Sequence, residues 1–181
     1  MTISKEQAAA ALRDLRTTQD RSSSLYKYAK ASPHLALWGC VWMLAYGLTD
    51  AFPTKAGQVW LIADCIGAAL SIYIVLVHQR AASAAGRLLA SILTIVAFAI
   101  TVFCILPPDS GKQVSALIPM IVATIYVLFG IWHGRRLVVT GFLIAACTMF
   151  GFFFLQSHFN AWMAVVGGTS LILTSVWLKQ V

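Results

Sequence analysis

The chain has 181 residues, 60% of them hydrophobic and 10% charged, with a formal net charge of +7. With a mean hydropathy of +0.82, this composition lies outside that of soluble globular domains. A hydrocarbon core about 30 Å thick takes about 20 helical residues to cross, so the length holds about six crossings and leaves no room for a soluble catalytic domain beyond the first thirty-odd residues.

Residues 4–31 read as a helix that precedes the membrane. Ser4 with Gln7 fits a capping box, and the stretch from Ala8 to Leu12 is rich in helix formers. Its apolar face is thin, with Ala8, Leu12 and Leu15 on one side. The wholly polar centre from Thr17 to Ser24 predicts a break near Ser22–Ser24. Glu6, Asp14 and Asp20 interrupt any secretory-signal pattern. Residues 1–32 are therefore expected to form a basic cytoplasmic helical segment, and residues 33–181 a membrane domain.

The first span is expected over 33–52, with Pro33 at its start, where a missing N–H is harmless, and Pro53 just past its end. Further spans are expected over 57–78, 87–106, 114–133, 137–155 and 161–178. A turn at Pro107–Gly111 and a short connection at Gln156–Asn160 join them on the outer side. Connections this short force neighbouring spans to pack antiparallel. Gly39 and Trp60 lie 21 residues apart, as do Gly141 and Trp162, a spacing consistent with duplicated hairpins.

The charge distribution sets the orientation. Lys5, Arg13, Arg16, Arg21, Lys27 and Lys30 precede the first span, Arg80 and Arg87 lie in the second loop, Arg135 and Arg136 in the fourth, and Lys179 follows the last span. Only Lys55 and Lys112 fall on the opposite face. This bias places both termini in the cytoplasm. Basic residues near the bilayer are also drawn to anionic headgroups, by about 1 kcal/mol each. Because the charge follows the membrane and no base-reading fold surrounds it, nucleic-acid binding is not expected.

Asp64 is the acidic residue well inside a span, about eight residues from the outer turn and roughly 12 Å deep. An ionised Asp at a helix centre costs roughly 2.5–3.5 kcal/mol, which makes the residue a candidate for function. Two roles fit it: a protonated carboxyl bonded to a neighbouring helix, or a carboxylate at a watery cavity that binds a proton or cation. Asp50, at the outer end of the preceding span, and Tyr46, one turn below it, are candidates for the same site. Trp38, Trp42 and Tyr46 form an aromatic stripe along that span.

Small side chains recur at four-residue spacing in Ala63, Gly67 and Ser71, in Gly141 and Ala145, and in Ala164 and Gly168, a pattern used for close helix packing. His34, His78 and His133 share the cytoplasmic depth and are the candidates for a metal or haem site. Amphipathic side chains collect at that interface in any case, and the spacings form no ligand motif. His158 reads as a loop residue. Cys40, Cys65, Cys104 and Cys147 each fall inside a span and form no disulfide framework. No nucleophile, phosphate-binding or dinucleotide motif is present, so neither covalent catalysis nor a cofactor is expected.

The charged N-terminal helix, a first span carrying Leu37-Trp38-Gly39 and Trp42, and six short-looped spans resemble a group of small uncharacterised six-span bacterial inner-membrane proteins. The resemblance implies a multi-pass location in a bacterial inner membrane. It brings no reaction and no site residues. The expectation is an all-α, six-helix transmembrane bundle with both termini inside. Its expected role is that of an accessory or sensory protein, acting by helix packing and by contact with a membrane or cytoplasmic partner through residues 1–32, or with a second copy of itself. The alternatives are a small proton- or cation-coupled transporter using Asp64, and a haem or metal redox protein.

Overall fold

The computed structural model describes residues 5–78 and 82–180. Nearly all of the described residues are helical, and none of them is in a strand. The elements in order are α1 (Lys5–Ala51), α2 (Ala56–Tyr73) with a π-helical turn (Ile74–His78), α3 (Ala82–Ile105), α4 (Gly111–His133) and α5 (Arg135–Phe154). A rod built from α6 (Phe159–Trp162), a second π-helical turn (Met163–Gly167) and α7 (Gly168–Lys179) completes the chain.

Among the described residues, four helical stretches are long and apolar enough to cross a bilayer: Pro53–Val77, Gly111–Trp132, Arg135–Phe154 and Gln156–Lys179. Helix α3 adds a shorter apolar run, Leu89–Ile105. The chain is a multi-pass membrane protein.

Two sequence expectations are corrected in α1. The helix continues for 47 residues, with no break at Ser22–Ser24. Pro33 lies inside it and does not begin a new helix. Proline removes one backbone hydrogen bond and crowds the carbonyl four residues back, but tertiary contacts hold the chain on both sides. Ser32 is fully buried, and its Oγ donates to the Ser175 carbonyl at 3.0 Å while the Ser175 Oγ donates to the Ser32 carbonyl at 2.8 Å. Leu35, two residues beyond the proline, is buried as well. The expected capping residue Ser4 lies outside the described residues.

Tyr28, Ser32, Leu35, Gly39, Trp42, Tyr46 and Thr49 are the buried positions that run down one side of α1, at alternating spacings of four and three. That is a 3.5-residue period, the pattern of a supercoiled helix seam. The partner is α7, and the pairing is antiparallel. Ser32 meets Ser175, and Gly39 meets Gly168, so seven residues forward on α1 are seven back on α7. Side chains at the Gly39–Gly168 crossing would not fit. A Cβ on Gly39 would stand 2.7 Å from Ile172 Cγ1 and 2.9 Å from the Gly168 carbonyl oxygen, and a Cβ on Gly168 would overlap Met43.

The α4–α5 hairpin is as tight. Gly134 joins the two helices at φ +144°, a conformation that L side chains rarely adopt, and a Cβ there would overlap the Tyr28 hydroxyl. Farther along, Gly141 lies against Ala123 and Val127 of α4, where a Cβ would come 2.6 Å from the Ala123 carbonyl oxygen. The basic end of the bundle is closed by Arg136, whose guanidinium stacks over the Trp177 ring at 4.9 Å and donates to the Trp177 carbonyl. Helix α3 stands apart, and Ala99 is its one buried residue among those described.

Because backbone atoms line the α1–α7 crossing, it has little room to relax. Gly168→Leu is expected to lower resistance to unfolding in detergent by about 1–3 kcal/mol, and a Gly168→Leu protein as stable as the parent would show that the two helices do not approach this closely.

Candidate functional site

The polar groups of the bundle fall into several classes, two of which bear on the site. Thr94, Thr101, Thr124, Thr140, Thr148, Thr169 and Thr174 each donate their hydroxyl to the carbonyl four residues back in their own helix. Of these, Thr140 also reaches the Thr174 Oγ1 of α7 at 3.3 Å. The second class lies at the end of the bundle opposite Arg136, around Tyr46.

Tyr46 connects four helices. Its hydroxyl donates to the Ser115 carbonyl of α4 at 2.7 Å, and its ring meets Trp60 of α2 edge-on at 4.7 Å, Phe159 of α6 at 6.4 Å, and Trp42 of its own helix at 5.9 Å. Edge-to-face contacts of this kind add to the energy of burial. The Asp64 carboxylate lies within electrostatic reach of the Tyr46 hydroxyl. With the Tyr46 proton committed to Ser115, the phenolic oxygen can only accept from any further partner.

Asp64 has an unusual position on its helix. Trp60, Gly67, Ser71 and Val75 share its face, at spacings of four, three, four and four. Gly67, Ser71 and Val75 are buried, and Trp60 packs against the core. Trp38 fills the space beside Gly67 and donates from Nε1 to the Ser71 Oγ at 3.2 Å. The packed face opens at Asp64, which is exposed.

Two further oxygens at this end have no hydrogen-bond partner, Thr49 Oγ1 and Asn160 Oδ1. Thr49 is 4% exposed and lies one turn beyond Tyr46 on the buried seam. Its hydroxyl, unlike those of the seven threonines above, is not returned to its own helix. Asn160 follows Phe159, the residue that touches Tyr46. Thr49 on α1 and Asn160 on α6 thus each leave an unused oxygen on an element that meets at Tyr46.

The other candidates are distributed as follows. Asp50 is exposed at the end of α1, on the turn after Tyr46. Ala63 lines an apolar gap of about 260 Å³ between α1 and α2. Gly141 lies in the α4–α5 crossing and Gly168 in the α1–α7 crossing, while Ala145 packs against the core. No group of three or more metal-ligating side chains occurs among the described residues. His34 is partly buried on α1, and the side chains of His78 and His133 lie outside the described residues, as does any cluster they form.

Sequence reasoning missed Thr49, Ser115 and Asn160. Thr49 had a signal, since it lies three residues after Tyr46 on the same helical face. Ser115 contributes a backbone oxygen, which has no signature in sequence. Comparison with protein-family models, curated proteins and solved structures finds no match.

An orphaned buried hydroxyl costs stability, whereas a bonded one contributes it. Thr49→Val, which keeps the shape, is expected to leave the protein as stable as the parent or up to about 1 kcal/mol more so. Ser175→Ala is expected to lose about 0.6–1.7 kcal/mol, the range for hydrogen bonds between membrane helices. Denaturant titration of both variants in one detergent separates the cases, and a destabilised Thr49→Val would mean that its hydroxyl is bonded.

Proposed function

We propose that this protein is an accessory or sensory component of a bacterial inner membrane, a six-span bundle with both termini cytoplasmic, acting through partner binding without covalent catalysis. The observation that carries this reading is the continuity of α1. Residues before Tyr28 include exposed Arg13, Leu15, Gln19, Ser22 and Tyr26, while the same helix from Tyr28 onward is the buried seam on α7. The stretch ahead of Tyr28 is roughly 35 Å long at 1.5 Å per residue. It presents Arg13 together with Leu15, 66% exposed, and Tyr26, 63% exposed.

A partner bound to that stretch pulls or turns a rod whose other half is locked at Gly39 against Gly168. Packed helix interfaces shift between discrete arrangements more readily than they deform. A contact outside the membrane would thus reach Tyr46 through one helix, and α2 through the Trp60 ring. With a photo-reactive residue at Leu15, cross-linking in native membranes is expected to give a discrete adduct with a cytoplasmic protein. The same group at Leu106 should give no such adduct, and the absence of an adduct at Leu15 would remove the reading.

A second reading, proton or cation coupling through Asp64 with Asp50, is favoured by the opening of the packed α2 face at Asp64 and by the unused oxygens of Thr49 and Asn160. Here proteoliposomes carrying the parent protein should collapse an imposed proton gradient, and Asp64→Asn should abolish that flux while the protein still inserts. A parent protein that carries no flux, or an Asp64→Asn variant with parental flux, excludes this mechanism.

A further inference from the structure

Helices α3 and α4 face each other across an apolar cleft of about 520 Å³, within the size range of small-molecule sites. Phe98 and Val102 line it from α3, and Leu117 and Ile121 from α4. Thr94 and Thr124 also border it, but each hydroxyl is bonded to its own helix, at 2.8 Å to Ala90 and 2.9 Å to Met120. Ser91, one turn nearer the basic end, likewise donates to the Arg87 carbonyl at 2.9 Å. The cleft therefore offers no polar handle and fits a hydrocarbon chain.

The end of the cleft is different. Arg87, Ser91, Thr94, Phe98 and Val102 follow one face of α3 at spacings of four, three, four and four. This places the exposed Arg87 seven residues, roughly 10 Å, below Thr94. On α4, Trp132 lies the same seven residues beyond Ile125, which borders the cleft opposite. Trp132 is 83% exposed, the highest value of any large hydrophobic residue described. A guanidinium and an indole thus flank the basic end of the cleft at matching depth. Arginine pairs bidentately with phosphate, and tryptophan settles at the headgroup boundary.

We infer that the α3–α4 cleft is a binding site for an anionic phospholipid, with an acyl chain between Phe98 and Ile121, the phosphate on Arg87 and the glycerol region against Trp132. Charge complementarity selects the headgroup, and a zwitterionic lipid would have the same chain but a weaker hold on Arg87. Occupancy does not depend on a partner at α1 or a cation at Asp64, so those readings and this one fail separately.

The test uses the full-length protein purified in detergent and supplied with equal amounts of phosphatidylglycerol and phosphatidylcholine. Native mass spectrometry should show phosphatidylglycerol retained about tenfold over phosphatidylcholine, equivalent to about 1.4 kcal/mol. Arg87→Gln should bring the two to parity, whereas Lys112→Gln, at the opposite end, should leave the preference intact. Thr124→Phe, which fills the cleft, should reduce retention of both lipids. A measurement on the unaltered cleft guards against misfolded variants. In vesicles, brominated phosphatidylglycerol should quench tryptophan emission more than brominated phosphatidylcholine at equal content, and Trp132→Phe should remove the excess. Equal retention of the two lipids by the parent, or an undiminished preference in Arg87→Gln, would overturn the assignment.

Discussion

The close approach of α1 and α7 at Gly39 and Gly168 sets the geometry to which the rest of the bundle conforms. Lipid tails are as apolar as leucine, so helices in a bilayer gain little from hiding apolar side chains and associate through close packing and interhelical hydrogen bonds. The α1–α7 seam uses both. Glycine faces glycine at the crossing, and Ser32 and Ser175 exchange hydroxyl-to-carbonyl bonds one heptad away. With those contacts in place, Trp38 is positioned over Gly67 of α2, Tyr46 against Ser115 of α4, and Tyr28 against the Gly134 turn.

From that seam the molecule grades outward. Helices α4 and α5 form a tight pair of their own around Ala123 and Gly141, while α3 is held least and leaves an apolar gap on its α4 side. The gradient separates the places where chemistry is feasible. Buried threonines such as Thr140, Thr148 and Thr174 donate within their own helices, which leaves their hydroxyl protons no spare bonding capacity. Spare capacity remains where the packed face of α2 opens at Asp64, and along the exposed flanks.

The apolar spans were legible because hydropathy and length suffice to reveal them, and the bilayer admits little but helix. Pro33 was misread because proline is a local signal, whereas the contacts that carry α1 through it come from Ser175, 143 residues away. The polar stretch from Thr17 to Ser24 was misread as a break because it lacks an apolar face. A helix anchored beyond one end can continue through such residues, since each added residue closes one more backbone bond after nucleation. Thr49 resembled any other helical threonine, and only its unbonded oxygen distinguishes it.

The sequence by itself determined that this is a helical, multi-pass membrane protein, because that follows from composition and spacing along the chain. It offered Gly141 and Gly168 as candidates for close packing, but gave Gly39 no such role. Only the tertiary structure decided which backbone each of them meets: Gly39 and Gly168 each other, Gly141 the α4 segment around Ala123. It alone made Asp64 an opening in a packed face and Tyr46 a junction of four helices. Helix pairing depends on shape fitted between segments remote in sequence, and neither hydropathy nor periodicity encodes which two surfaces will match.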